Sequence, residues 1–349
     1  MLLLWVGFVT FILLLLALDL GVFHRDAHAV SVKEAFTWTG VWVTVALCFS
    51  LFVYYAYDRN LAGLGLTPDA IDGAVNTGKL AFAKYLTGYV IEWSLSVDNV
   101  FVIAMIFSFL RIPAQYQHRV LFWGIVGALV MRGVMIGVGA QLVQRYHWIL
   151  YVFGAFLIIT AIRMAFSSSE HEDPGQGFVL RTIRRIFPVT SQYHGQHFFA
   201  MENGVRVMTP LAVALVLVET TDLIFAVDSI PAIFAITADP FLVATSNAFA
   251  ILGLRSLYFA LAGAITAFAY LKYSLAAILA LVGGKMLAAE WLKETVGPNF
   301  NYYLLAMVAL ILVAGVVASL IKKRRDDARG IDPIIPSELG DVPASEVKP

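Results

Sequence analysis

Long apolar runs follow one another along the chain, and each is about the length of a helix that crosses a bilayer. Only helices and closed barrels satisfy their backbone groups in lipid, so runs of this length predict an all-α polytopic membrane protein. We predict about nine transmembrane helices, at residues 2–22, 36–57, 82–110, 119–142, 148–167, 209–236, 242–264, 270–291 and 302–321.

The composition agrees with a membrane protein. Hydrophobic residues make up 60% of the 349 residues and charged residues 14%, whereas a soluble chain carries about 25% charge. Cys48 is the only cysteine, which excludes disulfides within the chain and cysteine-based metal sites. No basic segment precedes the first apolar run, so we interpret it as a retained helix rather than a signal peptide.

Basic residues between the predicted helices concentrate on one side of the membrane. With a cytoplasmic C-terminus, the inner segments hold most of them, including Arg181, Arg184, Arg185 and the cluster at 322–325. The positive-inside rule therefore predicts an N-terminus outside and a cytoplasmic C-terminus.

Two segments inside apolar runs, 92–99 and 222–229, resemble each other at an offset of 130 residues. Each has two carboxylates six residues apart, with a valine before the second acid and an amide or hydroxyl side chain after it. Carboxylates inside a membrane are energetically costly and usually functional. These polar residues are Glu92, Asp98 and Asn99 in the first segment and Asp222, Asp228 and Ser229 in the second.

The duplication extends over two blocks, 82–167 and 209–291, in which Arg132 matches Arg255 and Arg163 matches Lys285. Each block has three spans, so the second starts from the opposite side and the repeats are predicted to be inverted, as in many secondary transporters. The other predicted parts are two peripheral spans in 1–81, a cytoplasmic loop at 168–208, a C-terminal span with a basic end at 292–325, and a disordered tail at 326–349.

The 168–208 loop has two patterns of its own. Apolar residues alternate with three arginines over 178–187, which is typical either of a segment lying on the inner membrane surface or of a solvated connector. Asn203-Gly204 between apolar flanks predicts a hairpin turn.

Charged residues inside the predicted spans must be compensated. Each costs roughly 2.5–3.5 kcal/mol at a helix centre, so they must pair with one another, meet water or bind an ion. They are the acids Glu92, Asp98, Glu219, Asp222 and Asp228 and the bases Arg132, Arg163, Arg255 and Lys285. Asp19, near the inner end of the first span, is expected at the membrane interface.

The six-residue spacing limits how the acids can meet. On an ideal helix, positions six apart differ by about 120° in direction and about 9 Å in rise, so an unbroken helix cannot aim both acids at one small ion. One possibility is that both helices are broken, near Val97 and near Val227; Pro231 removes the hydrogen bond to the Val227 carbonyl. The other is that Asp98 and Asp228 form the site, while Glu92 and Asp222 have a different role.

The ligand types favour a hard cation. All seven histidines fall in loops or at span ends, whereas carboxylates with Asn99, Ser229 and Asn247 suit Mn²⁺, Mg²⁺ or Ca²⁺. Arg132 and Arg255 would then gate the site or balance its charge.

Purely structural roles for the charged residues compete with a cation site. The two arginines could bridge helices to the acids with no ion present. Glu219, which has Tyr89 at its matching position, could serve packing alone, and Lys285 could extend to the membrane surface.

Segments 92–102, 222–236 and 245–259 resemble signatures of the TerC family of integral membrane proteins, and residues 1–325 are similar in layout to its Alx-type members. The resemblance implies a bacterial inner-membrane location, a role in metal homeostasis that for Alx-type members is manganese export, and a link to tellurium resistance. It also implies functional positions, at Glu92, Asp98, Asn99, Asp222, Asp228, Ser229, Asn247 and Arg255.

We therefore expect an alternating-access exporter of Mn²⁺ or a related divalent ion, with protons as counter-ion. The alternative is an accessory membrane protein that hands metal to a secretion or metalation partner without transporting it alone. An enzyme using two aspartates is disfavoured because no Gly-x-Gly-Asp motif is present. We expect no enzymatic activity, no bound cofactor and no nucleic-acid partner.

Overall fold

A computed structural model of the protein describes residues 1–21, 31–146, 148–166, 178–262 and 270–328. It is almost entirely helical, with one small hairpin. The helices are α1 (Leu2–Gly21), α2 (Val32–Asp58), α3 (Gly78–Phe109), α4 (Ala114–Arg145), α5 (Ile149–Phe166), α6 (Phe178–Ile186), α7 (Pro210–Phe234), α8 (Pro240–Leu252), α9 (Leu254–Ala262), α10 (Leu271–Leu287), α11 (Ala289–Thr295) and α12 (Phe300–Ala328).

The predicted all-α, multi-pass architecture is confirmed. Eight helical segments in the described residues are long and apolar enough to cross a membrane, and a ninth results if α10 and α11 count as one bent span. The bend between these two helices is 77°, and the predicted span 242–264 corresponds to α8 and α9, which meet at Gly253. The predicted spans thus correspond to observed helices.

The two three-helix blocks exchange packing partners. Helix α3 of the first block packs on α8 of the second, and α4 of the first packs on α7 of the second. The third helices of both blocks, α5 and α10, also pack along each other. Two inverted blocks would pack in this way, although the inverted relation and the block boundaries stay predictions.

Helices α5 and α10 approach closely at two glycines. A Cβ atom on Gly154 would lie 3.1 Å from the Gly283 carbonyl oxygen, and one on Gly283 would lie 2.9 Å from the Gly154 carbonyl oxygen. Larger residues at either position would force the helices apart, so these two backbones are in direct contact, as small residues allow in membrane helix pairs.

The described part of the 168–208 loop consists of α6 and a β-hairpin. Strands β1 (Phe199–Glu202) and β2 (Val205–Met208) pair antiparallel, and Asn203 and Gly204 both have positive φ, as the predicted turn requires. Helix α6 packs on α7 and buries Leu180 and Ile183, while its three arginines are exposed. The predicted disordered tail at 326–349 lies almost wholly outside the described residues, as does 168–177.

Candidate functional site

Arg132 of α4 connects the repeated acids of both blocks. Its Nη2 donates to Asp222 Oδ1 at 2.8 Å and its Nε to Asp222 Oδ2 at 3.1 Å, which makes a bidentate ion pair. Its Nη1 donates to Glu92 Oε1, and also to Ser229 Oγ at 3.1 Å. All these side chains are buried. One guanidinium therefore holds the first acid of each repeated segment.

The second acids, Asp98 and Asp228, line a cavity beside this ion-pair cluster. The cavity has a volume of about 40 Å³, which exceeds the space that one water molecule needs. Its polar lining consists of Glu92, Asp98, Asn99, Arg132, Asp228 and Ser229. We call these residues, together with Asp222, the central cluster.

The neighbours of these acids are polar side chains from other helices. Thr160 of α5 donates to Asp228 Oδ1 at 3.3 Å, and Asn99 Nδ2 donates to Asp222 Oδ1 at 3.4 Å. Glu92 Oε2 is buried, and no described residue offers it a hydrogen bond. The central cluster thus has an unused acceptor oxygen beside a small cavity, which is the kind of position that a cation or a proton occupies.

The helices that carry the acids are not broken. Helix α3 is continuous from Gly78 to Phe109, and α7 is continuous from Pro210 to Phe234 with Pro231 inside it. The predicted breaks near Val97 and Val227 are therefore wrong. Each helix presents its two acids in different directions: Glu92 and Asp222 pair with Arg132, and Asp98 and Asp228 line the cavity together with Glu92. Which of the four acids bind a cation stays a prediction.

Arg255 does not occupy the position in the second block that Arg132 has in the first. It is bonded to Asp19 of α1, and both side chains are buried. Asp19 is therefore paired inside the bundle rather than exposed at the membrane interface. Arg255 also lines a second cavity, of about 20 Å³, together with Asn99 and Asp222. Asn99 thus contributes to both cavities.

The remaining predicted residues lie in different surroundings. The carboxylate of Glu219 lies against Gly127 of α4, so closely that a Cβ atom on Gly127 would collide with it. Asn247 of α8 is buried, and its Nδ2 has no hydrogen-bond partner among the described residues. Lys285 is buried and donates to Asn301 Oδ1 at 3.0 Å, so it does not extend to the membrane surface.

A second buried polar network lies where α3 begins, and it was not predicted from the sequence. Lys84 Nζ is 2.8 Å from Asp69 Oδ2, 2.9 Å from Asp72 Oδ2 and 2.7 Å from Asn76 Oδ1. The signal that could have indicated it is a lysine inside a predicted span, directly after a loop that carries two acids, Asp69 and Asp72. We call Lys84, Asp69, Asp72, Asn76, Thr237 and Asp239 the loop-end network.

Asp69 joins the 59–77 loop to the connection between α7 and α8. Its carboxylate accepts from the Ala238 backbone N–H at 2.9 Å and from the Thr237 hydroxyl. Burial by itself raises the pKa of Asp69, but the Lys84 ammonium and these hydrogen bonds lower the pKa below its usual value. Asp239 accepts from the Tyr57 hydroxyl at 2.7 Å, and burial raises its pKa.

No group of three or more His, Cys, Asp or Glu side chains in the described residues surrounds a single point as metal ligands would. In the central cluster, Arg132 lies between Glu92 and Asp222, and the four acids do not converge. A cation bound there would thus take some of its ligands from amide and hydroxyl groups, or the acids would have to move toward it.

Comparison with known proteins agrees with a membrane-protein fold. The defining pattern of the integral membrane protein TerC family matches residues 77–327. The chain belongs to the TerC family. It is 49% identical over 321 residues to an uncharacterized membrane protein, STKORF319, of Myxococcus xanthus, covering 92% of this chain and 93% of that protein.

Further relatives in the family are similar over nearly their whole length. The Alx protein of Escherichia coli strain K12, described as a candidate membrane-bound redox modulator, is 40% identical over 329 residues, covering 94% of this chain and 98% of Alx. An uncharacterized membrane protein of Rickettsia bellii is 38% identical over 319 residues, covering 91% of this chain and 97% of that protein. No solved structure matches the chain.

Proposed function

We propose that this protein transports a divalent metal ion, most specifically Mn²⁺, across the bacterial inner membrane and out of the cell. The observation that carries the proposal is the central cluster, in which acids from both three-helix blocks line one cavity. Buried acids are costly in a membrane, and a site that binds cations gives them a function.

The donor atoms of the central cluster suit a hard cation. Asp98 and Asp228 line the cavity with the amide of Asn99 and the hydroxyl of Ser229, and Glu92 Oε2 has unused lone pairs. Oxygen donors of these kinds are the ligands of Mn²⁺, Mg²⁺ and Ca²⁺. Among these ions, the family resemblance favours Mn²⁺.

Arg132 would balance charge when the cation leaves. The cavity lining contains three acids, Glu92, Asp98 and Asp228, and one basic residue, Arg132, which is also paired with Asp222. A bound cation or protons would reduce this excess of negative charge. Protons are the expected counter-ion, because a carboxylate without a cation in a low-dielectric site binds a proton more readily.

The packing of the two blocks is compatible with alternating access. The central cluster takes Glu92, Asp98 and Arg132 from the first block and Asp222 and Asp228 from the second, so it lies between the blocks. Rocking of one block against the other would expose such a site to each side in turn. The bias of basic residues favours an N-terminus outside and a C-terminus in the cytoplasm.

A second candidate is an accessory protein that passes metal to a secretion or metalation partner without moving it across the membrane alone. The redox role named for Alx is compatible with either candidate. With Cys48 as the only cysteine, no dithiol pair exists within the chain, and movement of a redox-active metal would connect transport with redox state.

The test is flux in proteoliposomes loaded with a metal indicator, with and without a pH gradient. We expect Mn²⁺ flux for the natural sequence and its loss in Asp98→Asn and Asp228→Asn, with no loss in Glu294→Gln, an exposed acid of α11. Metal binding without flux in the natural sequence would favour the accessory role. Normal flux in both aspartate variants would refute the proposed site.

A further inference from the structure

Lys84 of the loop-end network lies on α3, between the central cluster and the 59–77 loop that supplies Asp69, Asp72 and Asn76. Lys84 precedes Glu92 by eight residues, which corresponds to about 12 Å along the helix. Between them, α3 packs closely on α8 at Gly88, where a Cβ atom would lie 2.9 Å from Ser246 Oγ. Ile91 and Ile233 are fully buried at this level. A cation leaving the cavity toward this end would have to pass this layer and then the network.

The network fastens the two blocks to each other. Lys84 belongs to the first block, and Thr237 and Ala238 follow α7 of the second. Asp69 bonds to all three, through its ion pair with Lys84, the Thr237 hydroxyl and the Ala238 N–H. Asp72 extends the connection to α12, because it accepts from Asn301 Nδ2 at 2.9 Å. The blocks cannot separate here while these bonds persist.

The opposite end of the bundle is closed differently. The position that matches Lys84 in the second block, at the same offset of 130, is Ala214. Ala214 is buried in an apolar cluster that also contains Leu211, Ile103 and Tyr258. Matching positions of the two blocks therefore carry a buried ammonium at one end and a methyl group at the other.

We propose that the ion pairs of Lys84 with Asp69 and Asp72 form a gate that closes the cation path at the end where α3 begins. The proposal rests on the proposed transport function, because it names the barrier at one end of the same path. Lys84 acts as a positioning residue: it holds the 59–77 loop and the two blocks together, and it does not bind the transported ion.

Thiol accessibility tests the gate without any metal. In a Cys48→Ser background, Leu95→Cys places a single thiol in the lining of the central cavity without removing an acid. A charged, membrane-impermeant methanethiosulfonate reagent is added to right-side-out or to inverted vesicles. Thr67→Cys, an exposed position in the 59–77 loop, identifies the vesicle face on which that loop lies.

We expect slow labelling of the cavity thiol in the parent and labelling at least about tenfold faster from the loop face in Lys84→Met, because removing one partner of a buried ion pair destabilises the closed arrangement. Lys79→Met, an exposed lysine on the same helix, is the matched control and should label like the parent. Asp72→Asn, which keeps the Lys84–Asp69 pair, should give a smaller increase.

Unchanged labelling in both Lys84→Met and Asp72→Asn would overturn the proposal, as would an increase from the opposite face alone. If Lys84→Met does not fold, Asp72→Asn decides the question. The two proposals fail separately. Faster labelling without Mn²⁺ flux refutes transport and keeps the ion pairs only as the closure of the cavity, whereas flux with unchanged labelling refutes the gate alone.

Discussion

The central cluster and the loop-end network are both charged and mostly buried, yet they differ in how well their charges are satisfied. Both oxygens of Asp69 accept hydrogen bonds, and Lys84 has three oxygen partners. In the central cluster, Arg132 bonds to Glu92 and Asp222, yet Glu92 Oε2 has no described donor. A satisfied network holds parts together, whereas an unsatisfied one still has capacity for a ligand.

Loss of Arg132 should have the largest effect. Arg132→Met leaves Glu92 and Asp222 buried without their cation, so we expect a loss of about 3–5 kcal/mol in the free energy of unfolding. Thermal unfolding in detergent, followed by circular dichroism, measures it. Arg145→Met, at the exposed end of the same helix, should change stability by less than about 0.5 kcal/mol. Equal stability of the two variants would show that Arg132 is not needed to hold the acids.

Added Mn²⁺ should distinguish the two networks directly. At about 100 times its dissociation constant, a ligand raises the free energy of unfolding by about 2.7 kcal/mol. We expect Mn²⁺ to produce this increase in the natural sequence. Asp228→Asn should abolish the shift, because the site loses a ligand. Asp72→Asn in the loop-end network should retain it. Loss of the shift in both variants would mean that the metal effect is not local to the central cluster.

Removal of one hydroxyl should affect the networks unequally. Thr237→Val deprives buried Asp69 of a donor, and we expect a loss of about 1–3 kcal/mol in unfolding free energy. Ser96→Ala, on α3 between Glu92 and Asp98, removes a buried hydroxyl that has no described partner, so its cost should be near zero. Chemical denaturation in mixed micelles compares them, and a larger cost for Ser96→Ala would reverse the comparison.

The smallest effect concerns pH, because it appears only in acid. The pKa of Asp69 is depressed in the folded protein, so its stabilisation is complete above the ordinary value of 3.8 and is lost as pH falls through the lower folded pKa. The stability difference between the natural sequence and Asp69→Asn should be constant from about pH 7 to about pH 4 and shrink below it. A difference that shrinks near pH 6 would contradict the depressed pKa.

The sequence predicted the fold because each helix produces its own signal in lipid: a run of apolar residues of sufficient length. It also identified the acids and Arg132, since charges inside such runs are few and conspicuous. The small hairpin at Asn203-Gly204 was predicted for the same local reason, because its turn requires positive φ at both positions.

Contacts between distant segments were harder to predict. Asp19 lies 236 positions before its partner Arg255, and no periodicity links them. Asp69 and Asp72 occur in a loop where acids are ordinary, and only folding brings them onto Lys84. Pro231 indicated a broken helix, yet α7 accommodates it without interruption. Residue pairs between helices depend on packing, which the one-dimensional pattern does not contain.

The contact between Gly154 and Gly283 has a mechanical consequence. Because the backbones of α5 and α10 touch without intervening side chains, they cannot move closer, and any separation loses contact over both helices. Rotation about this contact preserves it, so in the proposed transport cycle the two blocks would tilt about this point. A small tilt about this contact would then displace the ends of the bundle, which lie far from the two glycines, by much more than the residues beside them.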